Sequence, residues 1–206
     1  MSEVHYLIGD YYMKNGDRSL AMKNYLLDVT LNPNRFDSWA AIALCKAADI
    51  EDKLRSFDAG SVEKIDQRKV NGAVFAFKQA NKIEKNGKIL IEFAQFLFSI
   101  GTRVKFSLDA QVPIDIITLP NFNILEMSLK LFEQAKEEMP EEEWLVLYMK
   151  GKIAEKRGKI QEPINYYFTA LAWLDQHASY PKKIQSEFKT LFFQVYFSPF
   201  RTCNQV

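Results

Sequence analysis

The chain has few of the residues on which disulfide scaffolds, β-structure and common catalytic sites depend. Its 206 residues include two cysteines, Cys45 and Cys203, far apart in the chain, which argues against a disulfide framework and favours a reducing compartment. Eight glycines and seven prolines are too few for the many turns of an all-β sandwich. The two histidines, His5 and His177, have no cysteine or carboxylate at the spacing of a nucleophilic triad. We therefore expect no enzymatic activity, no metal site and no cofactor.

Other absences narrow the range of ligands. A formal net charge of +1 gives no sign of a nucleic-acid or membrane surface. No apolar stretch reaches the roughly 18 residues of a spanning helix, and the first ten residues, MSEVHYLIGD, lack a signal-peptide pattern. Neither G-x-x-x-x-G-K-[ST] nor G-x-G-x-x-G occurs, so we expect no nucleotide or other small-molecule substrate. These absences favour a soluble intracellular protein whose partners are proteins.

What the chain does have is an internal repeat. In the first copy, Ala21, Tyr25 and Asp28 follow one another at steps of four and three residues, and Pro33 comes five residues later. Such steps place a small, an aromatic and a small residue on one face of a helix, where the small residues allow close approach of a neighbouring helix. The same steps recur in three further copies: Ala73–Phe77–Ala80, Ser128–Phe132–Ala135 and Pro163–Tyr167–Ala170.

Turn and cap residues surround the repeated helix. Gly16 suits the turn before it, where a left-handed conformation is often needed. Asp17 or Ser19 is positioned to cap its first turn, and Pro33 ends it. The pattern thus predicts two helices in each copy, joined by a short turn.

This arrangement resembles the tetratricopeptide repeat, W-x2-L-G-x2-Y…A-x3-F…P, with His5 at the tryptophan position of the first copy and Trp39 in the second. The resemblance implies an all-α, right-handed superhelical solenoid of helical hairpins with two inserted loops. We assign the array to residues 1–184. Its four repeats cover 2–35, 36–86, 87–140 and 141–178.

The spacing between copies locates the insertions. Equivalents of Ala21 follow at intervals of 52, 55 and 35 residues, so the first two exceed a unit of about 34. We place the extra residues near 49–66 and 102–121, as loops or as extended first helices; the alternative is a pair of linkers between two domains. Residues 185–197 are predicted to form a capping helix and 198–206 a tail. Because neither end has the polar outer face of a terminal repeat, we expect the chain to be a section of a longer solenoid.

Several stretches have a closer resemblance. Leu31–Leu54, Glu141–Lys159 and Tyr180–Ile184, with a weaker match at Phe75–Phe96, resemble the family of the calcineurin-binding scaffold Cabin, which is related to the yeast Hir-complex scaffold subunit. The resemblance implies a nuclear scaffold of the HIRA-type histone chaperone complex, acting in replication-independent nucleosome assembly, with the complex's other subunits as partners. It also implies negative regulation of calcineurin signalling at family level, although nothing here matches the family's calcineurin-binding segment.

By the same resemblance, a partner-binding groove would be lined by first-helix residues. These are Tyr6, Asp10, Met13 and Lys14 in the first repeat and Tyr148, Lys152, Glu155 and Lys156 in the fourth. The alternative for each is a solvated helix face.

Two other functions remain open. The first is a generic adaptor or co-chaperone module that clamps a peptide carboxylate; here Lys14 would need polar partners from the next repeat, where Ala40 and Leu44 stand instead. The second is an enzyme with catalytic groups on a helical array. The acidic run Glu137–Glu143 could meet a basic partner such as a histone tail, but carboxylates at a helix start are also favoured by the helix dipole.

Overall fold

The architecture is given by a computed structural model that describes residues 3–57, 67–109, 124–159 and 161–177. Over these residues the chain forms α-helices and one short 3-10 turn, Pro140–Glu142, and no strand. The all-α prediction is therefore confirmed. The helices are α1 (Val4–Lys14), α2 (Arg18–Leu31), α3 (Phe36–Phe57), α4 (Gln67–Ile83), α5 (Gly87–Asp109), α6 (Ile124–Glu138), α7 (Glu143–Lys156) and α8 (Gln161–His177).

The turn between α1 and α2 forms as its residues predict. Gly16 has φ 81°, a left-handed conformation that glycine adopts without steric cost. Asp17 Oδ1 accepts a hydrogen bond from the Leu20 backbone N–H at 2.9 Å, so Asp17 caps α2 and Ser19 lies inside the helix. The fourth pair of helices repeats the arrangement, since Gly158 between α7 and α8 has φ 73°.

Two compact units make up the chain, and their boundary lies inside α6. The first unit, Met1–Ser128, contains α1 to α5 and the start of α6. In it α1 packs on α2, α3 packs on both α2 and α4, and α5 contacts α3 and α4. The second unit, Leu129–Val206, contains the rest of α6 with α7 and α8, which pack on each other.

The repeated face of each second helix is buried. Its four aromatic residues, Tyr25, Phe77, Phe132 and Tyr167, are at most 1% exposed. The small residues at their flanks are buried as well, which confirms that the repeated spacing marks a packing face. Burying a large aromatic side chain removes 150–250 Å² of surface from water, so each of these positions is a main source of hydrophobic stabilisation.

The two predicted insertions begin as helix rather than as loop. Helix α3 continues to Phe57 and α5 to Asp109, so the described parts of both insertions are extended first helices. In α3 the reason is that Ile50 and Leu54, one turn apart, are buried and continue the apolar face. The rest of the insertions, at 58–66 and 110–121, lies outside the described residues, as do the predicted capping helix at 185–197 and the tail at 198–206.

Candidate partner-binding surface

In both α1 and α7, a glycine lies directly against an aromatic ring of the following helix. A β-carbon built on Gly9 would lie 2.7 Å from Cε1 of Tyr25, closer than any real side chain approaches. Gly151 meets Tyr167 in the same way, with a β-carbon 2.6 Å from Cδ1. The ring thus occupies the space that a side chain would need, and it fixes the distance between the two helices of each hairpin.

On α1, Tyr6 is the most constrained of the predicted groove residues. Its ring lies 6.1 Å from the ring of Tyr25, and the guanidinium carbon of Arg35 lies 5.6 Å from its centroid. Burial raises the pKa of the Tyr6 hydroxyl, and the carboxylates of Asp37 and Asp10 raise it further. Tyr6 therefore presents a neutral, half-buried ring in a fixed orientation.

The other three groove residues of α1 differ in exposure and charge. Lys14 is exposed and pairs with Asp10 at 2.9 Å, and this hydrogen bond raises the lysine pKa. Met13 Sδ lies 3.7 Å from Cys45 Sγ on α3, so the methionine spans the junction between two hairpins. The surface around Tyr6 thus combines one aromatic ring, one thioether and a compensated pair of opposite charges.

A buried polar network that the repeat pattern did not predict supports this surface. Asp28 takes the position that a small residue holds in the other repeats, and it is fully buried. Its carboxylate accepts hydrogen bonds from Ser38 Oγ at 2.5 Å and Asn32 Nδ2 at 3.0 Å. Arg35 Nε lies 3.3 Å from the same carboxylate, and Arg35 also reaches Glu3 at 3.7 Å. Since Arg35 lies over Tyr6 as well, the network ties the groove residue to the turn between α2 and α3.

The groove residues predicted on α7 belong to the second unit and form a separate set. The ring of Tyr148 lies 5.8 Å from the ring of Tyr167. The Tyr167 hydroxyl donates a hydrogen bond of 3.0 Å to Glu155, which also lies 4.0 Å from Lys152. Lys156 is exposed at the end of the helix. Part of the predicted set is thus engaged inside its own hairpin, because Glu155 anchors the buried tyrosine.

The second unit also contains a cavity of about 110 Å³. This volume is below the 300–1,000 Å³ of a usual small-molecule pocket. Two ion pairs lie in its lining: Lys150 is 3.0 Å from Glu133, and Lys159 is 2.6 Å from Glu162.

The described part of the chain has one buried thiol and no cluster of potential metal ligands. The thiol of Cys45 is buried, and burial raises its pKa to about 11, so it is protonated at neutral pH and a poor nucleophile. Within residues 3–57, 67–109, 124–159 and 161–177, no group of three or more histidine, cysteine or acidic side chains could hold a metal ion. None of the helices in these ranges is both long and apolar enough to cross a membrane. Ala40 of the next repeat, where a clamp around Lys14 would need a polar partner, is buried and apolar.

No protein-family model matches the chain. The function must therefore be inferred from the geometry of the chain itself. The surface around Tyr6 and Lys14 offers an aromatic ring held against Tyr25 and, beside it, a pair of opposite charges.

Proposed function

We propose that this chain is a non-catalytic protein-interaction scaffold whose four hairpins are tetratricopeptide repeats of a right-handed solenoid. The observation that carries the proposal is the glycine–aromatic contact. Gly9 with Tyr25 and Gly151 with Tyr167 are each sixteen residues apart and make the same close approach in two different units. A repeat that keeps such a contact also keeps the orientation of its first helix, which is the helix that would face a partner.

The chemistry of the α1 surface favours a peptide segment with an apolar anchor. Tyr6 would supply a rigid aromatic contact, since Tyr25 and Arg35 already limit its motion. Lys14 and Asp10 would contribute at the rim, where charge affects specificity and association rate more than affinity.

A more specific proposal comes from the family resemblance of Leu31–Leu54 and Glu141–Lys159. We propose that the partners are subunits of a HIRA-type histone chaperone complex in the nucleus, where the scaffold would act in replication-independent nucleosome assembly. The residues that carry the resemblance lie largely on α3 and α7, the first helices of the second and fourth hairpins. A generic peptide-binding adaptor is the alternative.

The test is direct binding of the purified 206-residue chain to recombinant subunits of such a complex, measured by biolayer interferometry. We expect one subunit to bind and the double variant Tyr6→Ala, Lys14→Glu to bind roughly tenfold more weakly, the loss typical of a hot spot. Lys69→Glu is the matched control, because Lys69 is an exposed lysine on α4.

The outcomes separate the two parts of the proposal. If no subunit binds, the chromatin assignment is wrong and the adaptor alternative is favoured. If a subunit binds but the double variant and the Lys69→Glu control behave alike, the scaffold function stands and the groove lies elsewhere.

A further inference from the structure

The sequence contains the same chemically reactive dipeptide three times, at Asn15–Gly16, Asn71–Gly72 and Asn86–Gly87. In an asparagine–glycine dipeptide the glycine nitrogen has no side chain beside it, so it can approach and attack Cγ of the asparagine amide. The new N–Cγ bond closes a succinimide ring, and Nδ2 leaves with the glycine proton as ammonia. Which dipeptide reacts in the folded protein depends on how the structure holds the attacking nitrogen and the amide.

The Asn15–Gly16 dipeptide, in the turn between α1 and α2, is held at both reacting groups. The attacking nitrogen is engaged, since the Gly16 N–H donates to the Met13 carbonyl at 3.1 Å. The leaving group is engaged as well, since Asn15 Nδ2 donates to the Tyr11 carbonyl at 2.8 Å. Ring closure would break both hydrogen bonds, so the folded turn protects this dipeptide.

The Asn71–Gly72 dipeptide lies inside α4. Gly72 is more than one turn from the start of the helix, so its N–H donates to the carbonyl four residues earlier. Turning this nitrogen toward the Asn71 side chain would break the helical hydrogen bonds on both sides of the dipeptide. The helix therefore protects the second dipeptide too.

The Asn86–Gly87 dipeptide differs at both reacting groups. Gly87 is the first residue of α5, and its N–H has no carbonyl acceptor within the helix. Oδ1 of Asn86 accepts hydrogen bonds from the N–H groups of Lys88 at 3.1 Å and Ile89 at 3.4 Å. Attack on Cγ moves negative charge onto this oxygen, where the same two donors stabilise it. The nitrogen is thus available and the amide is activated.

We propose that Asn86 deamidates spontaneously in the folded protein, whereas Asn15 and Asn71 react only after unfolding. Water then opens the succinimide ring at one of two bonds. Breaking the bond between the Gly87 nitrogen and Cγ gives an ordinary aspartate at position 86. Breaking the bond between that nitrogen and the main-chain carbonyl gives isoaspartate, in which the backbone runs through the former side chain. Neither route needs an oxidant or a reductant.

The two products differ in their effect on α5. Aspartate keeps an oxygen at the cap position, and its charge is favourable at a helix N-terminus. Isoaspartate lengthens the backbone by one carbon within residues 84–86, the short link between α4 and α5. This link positions Phe93 on Phe77, whose ring centroids are 4.7 Å apart. Isoaspartate should therefore loosen the contact between α4 and α5, and aspartate should not. The site involves neither a partner nor the groove around Tyr6, so it goes beyond the scaffold function proposed above.

The test is peptide mapping by mass spectrometry of the full chain, incubated at mildly alkaline pH either in native buffer or in urea. Digestion after glutamate puts the three dipeptides on separate peptides, because Glu51 and Glu84 lie between them. In native buffer, position 86 should react roughly tenfold faster than positions 15 and 71, where ring closure costs hydrogen bonds. In urea the three rates should become similar. Methyl transfer from labelled S-adenosylmethionine by an isoaspartyl carboxyl methyltransferase should detect the isoaspartate.

Asn86→Ser is the matched control, because it keeps a capping oxygen and removes the amide. After the same incubation it should contain no isoaspartate at position 86 and should keep its urea midpoint, while the wild type loses stability. Fresh Asn86→Asp reproduces the ordinary product and should be as stable as fresh wild type. The proposal is overturned if native protein reacts at position 15 or 71 as fast as at position 86. It is also overturned if position 86 stays unmodified, or if incubated Asn86→Ser loses as much stability as the wild type.

Discussion

The ring of Tyr25 lies where a side chain on Gly9 would have to be. Its Cε1 and Cδ1 atoms are 2.7 and 2.8 Å from the position of a β-carbon on that glycine. Neither ring atom can move away easily, because Tyr25 is 1% exposed and lies between two helices. The distance between α1 and α2, and with it the position of the surface around Tyr6, depends on this contact.

Replacing Gly9 with alanine should therefore destabilise the protein. Alanine favours a helix over glycine by about 1 kcal/mol, but overpacking against a buried ring costs about 1–3 kcal/mol. We expect a net loss of up to about 2 kcal/mol in the free energy of unfolding, measured by urea denaturation followed by circular dichroism.

Gly72→Ala is the control for this change. Gly72 lies inside α4, and a β-carbon there would meet only the flexible end of Lys46, at 3.4 Å. Without a clash, the helix propensity of alanine should dominate and raise stability by up to about 1 kcal/mol. Equal effects of the two substitutions would show that the Tyr25 ring moves aside.

Asp28→Ala should be among the most destabilising substitutions in the first unit. It leaves the largely buried guanidinium of Arg35 with only the exposed carboxylate of Glu3, 3.7 Å away, and it removes the acceptor of Ser38. Removing one partner of a buried ion pair typically costs 3–5 kcal/mol, and we expect about 3 kcal/mol by chemical denaturation.

Asp10→Ala is the comparison for Asp28→Ala. It breaks the exposed pair with Lys14, which solvent screens, so it should lower the free energy of unfolding far less than Asp28→Ala does. A loss below about 1 kcal/mol for Asp28→Ala would instead mean that water replaces the missing carboxylate and solvates Arg35.

The sequence predicted what depends on local periodicity. Steps of four and three residues determine which side of a helix a residue lies on, so the burial of Phe77 and Tyr167 followed from spacing alone. The left-handed conformation of Gly16 and the cap at Asp17 could also be predicted, because both depend on neighbouring residues in the sequence.

Features that depend on contacts between hairpins could not be predicted from the sequence. Asp28 occupies a position at which the other repeats have a small residue. Its burial is explained only by its contacts with Arg35 and Ser38, seven and ten residues later. The exposure of Tyr11 is likewise a tertiary property, since Phe96 at the same repeat position is buried. The choice between a loop and an extended first helix after Ala48 was left open by the sequence, and the structure has a helix there, because Ile50 and Leu54 extend the apolar face.

Arg18 should control the titration of Asp52. Arg18 donates hydrogen bonds to Asp52 at 2.9 Å and to Asp49 at 2.7 Å, and the first of these lowers the pKa of Asp52 below its ordinary 3.8. The pair thus stabilises the fold above pH 3.8, and the effect is lost as the pH falls through the lowered value.

An NMR titration of the carboxyl groups tests this relationship. In Arg18→Gln the pKa of Asp52 should return toward 3.8, since the hydrogen bond is its largest cause. Arg55→Gln should change it less, because Arg55 contributes only a weaker charge effect. The reverse order of the two variants would mean that the helix-to-helix hydrogen bond does not persist in solution.

Cys45 should make the protein less stable at high pH. Burial raises its pKa from 9.0 to about 11, and the nearby carboxylate of Asp49 adds to the shift. Between these values the unfolded chain loses the thiol proton and the folded chain keeps it. The free energy of unfolding should therefore fall as the pH rises from about 9 to about 11. In Cys45→Ala the free energy of unfolding should fall less steeply over the same range. Some slope should remain, because burial also raises the pKa of Tyr25.

Thiol labelling with Ellman's reagent in a Cys203→Ser background gives a second measurement. The thiol of Cys45 should react slowly in native protein at neutral pH and at once in denatured protein. Fast labelling of the native state would show that Cys45 and the contact it makes with Met13 open without global unfolding.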